Sequence, residues 1–108
     1  MSDARSGDEP MTKGQSWGPN DLVGGPVDEI LRGLHVLFQD LRVERLSVTH
    51  TGDDNNVWFI TRPSRAVEVQ LDSMPSGMPP FLLESDSGRS RTDEVSTAVT
   101  TLASWLRE

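Results

Sequence analysis

Imidazole groups are scarce in this chain, and they stand far apart. His35 and His50 are the two imidazoles, and either is a candidate general base for a hydrolase or transferase. Neither belongs to an HxxxH or HExxH pattern, which would set two ligands on one helix face for zinc. The sequence has no cysteine, which removes thiolate ligands, thiol nucleophiles and disulfides together. Asp53, Asp54, Asn55 and Asn56 gather oxygen atoms as a hard cation would require. A calcium loop, however, spaces its oxygens over about twelve residues and closes on Glu, whereas Val57, Trp58 and Phe59 follow here. The same four residues suit a tight turn, since Asx side chains tolerate left-handed backbone and bond local amides. Ser64, Ser76, Ser85, Ser87 and Ser90 lack the strand, GxSxG and helix that expose a nucleophile on a strained turn. Gly24 and Gly25 lack the GxGxxG spacing of a phosphate cradle. The sequence therefore predicts no catalytic residue, no metal ligand and no cofactor, and a chain that is not an enzyme.

Recognition chemistry is better represented. Trp58 and Ile60 lie on one face of an evident strand, and Val57 and Phe59 on the other, so both faces carry large apolar groups. One face must pack on helices, and the other either exposes an apolar patch of the kind that marks an interface or is covered by the long loop that carries Met74, Met78 and Phe81. Met74, Met78 and Phe81 flank or follow a stiff segment with prolines at 75, 79 and 80. Methionine is flexible and polarizable, so this Pro/Met loop is a second candidate surface, flanked by Arg62 and Arg65. The candidate partner-binding set is thus Trp58, Ile60, Met74, Met78, Phe81, Arg62 and Arg65. An alternative reading joins Arg62, Arg65, Arg89 and Arg91 into an anion or small-ligand sensor near one end of the sheet.

The elements that would position these groups follow from periodicity. Val27, Ile30, Leu31, Leu34, Phe38 and Leu41 form one apolar stripe at helical spacing, opened by Pro26 and the acidic pair Asp28 and Glu29. Gly33 interrupts that helix, which implies a close neighbour. Leu46, Val48 and His50 alternate with polar residues from Val43 onward, predicting a first strand over 43–50. The Asp/Asn turn leads to a second strand over 57–61, and Arg62 to Arg65 turn the chain into a third over 66–72, where Val67, Val69 and Leu71 alternate with Glu68, Gln70 and Asp72. After the Pro-rich loop, Phe81, Leu82 and Leu83 read as a short fourth strand, with residues 85–91 as a polar loop. Val95, Ala98, Val99, Leu102 and Leu106 then mark an amphipathic C-terminal helix.

The expected fold class is α+β: a two-layer sandwich of order α-β-β-β-β-α, an antiparallel meander with two helices on one face. This order is similar to that of small bacterial chaperone-like and immunity-like adaptor proteins, a similarity of architecture only. Residues 1–26, rich in Gly, Pro and polar groups, read as a disordered N-terminal tail, with 27–108 as a single domain. Trp17 stands out there as either incidental or a docking element. Net charge is −7, which disfavours nucleic acid and anionic membrane surfaces. No apolar run spans a bilayer and no signal-peptide pattern opens the chain, which makes the cytoplasm the expected location. The expectation is a small non-enzymatic interaction module, binding a protein partner or a second copy of itself as a homodimer.

Overall fold

The computed structural model describes residues 14–18, 21–46 and 56–108. His50 and Asp53 to Asn55 lie outside the described residues, as does the part of the expected tail before Gly14. A six-stranded antiparallel sheet runs in sequence order: β1 (Gly14–Ser16), β2 (Arg42–Leu46), β3 (Val57–Arg62), β4 (Val67–Met74), β5 (Met78–Ser85) and β6 (Gly88–Thr92). Helix α1 (Val27–Leu37) lies between β1 and β2, and α2 (Val95–Leu106) follows β6. The α+β sandwich with an antiparallel meander is therefore the observed fold, with more strands than the four expected.

Each helix forms for reasons visible in its own residues. Asp28, buried near the start of α1, accepts the N–H groups of Val23 at 2.9 Å and Gly24 at 2.8 Å, which fixes how the chain enters the helix. The apolar stripe buries Val27, Ile30, Leu31 and Leu34. The helix stops at Leu37, yet Phe38 and Leu41 beyond it remain in the core. Helix α2 packs on α1 and on β4, β5 and β6. Gly33 sits at the helix crossing, where an added Cβ would come within 3.3 Å of Val99 Cγ2. The core between the layers joins Ile30, Leu31, Leu34, Ala98, Leu102 and Leu106 to Trp58, Ile60, Val69, Leu71, Phe81 and Leu83.

Three expectations are corrected. The stretch 85–91 is not a loop but the β5–β6 hairpin, with Ser85 opposite Gly88. Its second strand escaped notice because Gly88 to Thr92 contains no apolar residue. The folded domain also begins before Val27: Gly14 to Ser16 pair with Leu46 to Glu44, and the Trp17 N–H donates to the Val43 carbonyl at 2.8 Å. Trp17 is 7% exposed and stacks on His35, ring centroids 5.5 Å apart, so it is a core residue. The Pro-rich segment, finally, is a tight connection in which a single 3₁₀ turn, Pro75–Gly77, joins β4 to β5. The register shifts between Asp72 and Met74, facing Pro79 and Pro80, which have no N–H for the ladder.

Candidate interaction face

Strand parity decides what each sheet residue meets. Trp58, Ile60, Val69, Leu71, Phe81 and Leu83 all point to the helices and are at most 1% exposed. This removes Trp58, Ile60 and Phe81 from the candidate partner-binding set, because they are the sheet's half of the core. Arg45 covers the Trp58 ring at 5.1 Å on that same side. Period-2 alternation had divided β3 correctly into two faces, but both were apolar and nothing local said which one the helices take.

The opposite face carries their neighbours. The registers align Val57 with Asp72 and Asp72 with Leu82, and in the next row Glu44, Phe59, Gln70 and Glu84, with Leu46 two residues beyond Glu44 on the same strand. Leu46, Val57 and Phe59 are half-buried, while Leu82, Met74 and Met78 are 42%, 38% and 47% exposed. Met74 and Met78 pair across the β4–β5 hairpin end, beyond the register shift, and both are exposed there. Polar groups divide the apolar ones: Gln70 Nε2 donates to Asp72 Oδ1 at 2.9 Å, and Arg89 Nε approaches Glu84 Oε2 at 3.3 Å in a solvent-exposed pair. A shallow depression of about 300 Å³ lies along Asp72, Leu82, Glu84 and Arg89. Val57, Phe59 and Leu82 are the residues that sequence reasoning left out of the candidate set. Their signal was present in the parity of Val57 with Phe59 and of Leu82 against Phe81 and Leu83.

The arginine cluster of the alternative reading does not assemble. Arg62 ends β3 on the helix side, whereas Arg89 and Arg91 lie on β6 facing the other way, with β4 and β5 between. Arg62 is also committed to the fold: Nε donates to Asp40 Oδ1 at 2.9 Å, Nη1 to the Leu106 carbonyl at 3.1 Å, and the guanidinium lies 4.3 Å from the Phe38 ring centroid. Ser64 Oγ also donates to the Asp40 carboxylate. The Ser64 hydroxyl first and the Arg62 guanidinium second hold the Asp40 carboxyl below the usual carboxylate range. Arg65 is exposed in the β3–β4 turn, where its N–H donates to the Arg62 carbonyl at 2.8 Å.

His35 sits beneath Trp17, with its Nε2 atom and Trp17 Nε1 both buried and without a hydrogen-bond partner among the described residues. The small cavity there, lined by Trp17, Leu22, Arg32 and His35, has a volume of about 30 Å³, room for about one water. Among the described residues no three His, Cys, Asp or Glu side chains converge as a metal site would need, and no helix is long and apolar enough to cross a membrane. Comparison of the chain with protein-family models, with characterised proteins and with solved structures finds no match.

Proposed function

We propose that this chain is a non-enzymatic protein-interaction module of the cytoplasm that engages a partner polypeptide through the open face of its sheet. The observation that carries the reading is the grouping of Leu46, Val57, Phe59 and Leu82 on the side of the sheet away from both helices, with the exposed Met74 and Met78 at the β4–β5 hairpin end. Apolar side chains gathered on one face, with acidic and basic groups interspersed, are what a protein interface presents before it is covered. Leu82, 42% exposed beside the shallow depression, is the natural anchor, and Met74 and Met78 provide adaptable contact at one end.

The test compares the wild type with Phe59→Glu and with Leu82→Glu, by sedimentation over a range of concentrations and by co-isolation from the source cell. Because these positions lie outside the core, the variants keep their cooperative unfolding. The expected result is an association, with a second copy or with a defined partner, that both substitutions abolish. A wild type that stays monomeric and co-isolates the same proteins as the two variants would overturn the reading.

A further inference from the structure

Among the described residues β6 is the last strand of the sheet, and its outer edge carries a more specific recognition device. The Trp17 N–H bond to the Val43 carbonyl shows that Val43 and Arg45 turn their backbone polar groups toward β1, so Glu44 turns toward β3. The registers carry this parity across the sheet: Glu44 to Phe59, Ile60 to Val69, Gln70 to Glu84, and Leu83 to Ser90. The bond from the Ser73 N–H to the Asn56 carbonyl at 2.9 Å agrees with it. At the last strand, Gly88, Ser90 and Thr92 therefore face β5, and the N–H and C=O groups of Arg89 and Arg91 point outward from the sheet. Both side chains project onto the open face, since Arg89 lies opposite Glu84 and Arg91 opposite Leu82. Two residues apart on a strand, they are about 7 Å apart at Cα.

We infer that the β6 edge accepts an extended acidic segment of a partner as a seventh strand. Backbone bonds would form to Arg89 and Arg91, and carboxylates at alternate positions of the added strand would lie against their guanidinium groups. Charge selects this occupant over a second copy. Two β6 strands paired about a twofold axis at Ser90 would set Arg89 of each against Arg91 of the other, and like charges directly opposed destabilise the pair. Arg91 has no ion pair among the described residues. Arg89 meets only Glu84, with both side chains largely in water, at 82% and 46% exposed. The inference deepens the proposed function by naming a partner chemistry and a docking mode beside the same open face.

The test uses ¹⁵N-labelled full-length protein and a capped heptapeptide with Glu at every second position and Thr between, beside its Lys counterpart. The Glu peptide is expected to shift the amide signals of Arg89 and Arg91 and the Lys peptide to leave them in place. The double substitution Arg89→Glu with Arg91→Glu is expected to weaken the Glu peptide about tenfold and to admit the Lys peptide instead. Binding undiminished when every peptide amide is N-methylated would show attraction without an added strand and overturn the inference. Shifts centred on Phe59 and Leu82 would overturn the edge but leave the face reading standing. No shift anywhere at millimolar peptide would also refute the edge, while the Phe59→Glu comparison would still decide the face.

Discussion

Arg62 was a candidate for binding on sequence grounds and is a structural clamp in the fold, a distinction that one substitution resolves. Its guanidinium ties three places together: Asp40 after α1, the Leu106 carbonyl at the end of α2, and the Phe38 ring. Arg62→Met keeps much of the aliphatic stem and removes the fork. The lost charged bond to the Leu106 carbonyl costs about 1.5–3 kcal/mol and the lost contact with Phe38 about 0.5–1 kcal/mol. The Asp40 pair adds least, because that carboxylate is one-third exposed and screened by water. The expected destabilisation is about 2–4 kcal/mol, a large share of the roughly 5–15 kcal/mol of a typical domain. Urea denaturation should show a lowered midpoint with an unchanged m-value, while the proposed association through the open face should be retained under conditions where the variant is folded. Arg62→Lys, which keeps charge but cannot fork, should fall between. A loss below about 0.5 kcal/mol, or full stability with abolished binding, would refute the clamp and return Arg62 to the candidate site.

Three further outcomes follow from the packing. Gly77, at φ +72°, would place a Cβ 2.6 Å from Val27 Cγ1, so Gly77→Ala should destabilise by about 2 kcal/mol or more. Gly25→Ala should be at least as severe, since its Cβ would fall 2.0 Å from the Ser76 carbonyl oxygen, while Gly24→Ala at φ +101° in open space should cost only backbone strain. Trp17→Ala should remove about 3 kcal/mol or more in urea denaturation and abolish the hydrogen-exchange protection of its amide; an unchanged midpoint would place Trp17 outside the cooperative unit. Asp40 has a folded-state pKa below its ordinary 3.8, so the unfolded chain takes up the proton first. Its contribution is therefore complete above the unfolded value and lost as pH falls through the folded one. Asp40→Asn should flatten the acid limb of stability against pH below about 5, and Ser64→Ala should move the Asp40 titration upward in carboxyl NMR. An acid limb identical in wild type and Asp40→Asn would contradict that assignment.

Where the sequence was legible, period and burial agreed. The stripe from Val27 to Leu34 and the alternation of Val67, Val69 and Leu71 each expose one side and bury another, so one strand or helix contains its own proof. β6 offers no such signal, because Arg89 and Arg91 alternate with Ser90 and Thr92 and neither set is apolar. β1 is three residues long and owes its place to Trp17, whose partners Val43 and His35 lie far along the chain. Arg62 was misread for the same reason, since Asp40 and Leu106 stand 22 and 44 residues away. The open face was half legible: two apolar faces on β3 were evident, but the choice between Trp58 with Ile60 and Val57 with Phe59 is made by helices that the strand cannot see.

Among the described residues, neither helix lies on the second face. β2 through β6 form a meander, and both helices lie outside it in sequence, one before β2 and one after β6. The links from β3 onward are short hairpin connections, too short to bring a helix across the sheet. An antiparallel sheet with one wet face ordinarily carries polar residues there, and positions that had only to meet water would be expected to bear Thr, Lys or Glu in place of the exposed Leu82, Met74 and Met78. Apolar groups at these positions lower solubility without adding to the core. Arg89 and Arg91 at the edge, meanwhile, discourage the copy-to-copy pairing that an open strand invites. An apolar face beside a guarded edge is the arrangement expected of a surface held open for a chosen partner, which is why the face and edge variants, tested separately, decide between two distinct modes of docking.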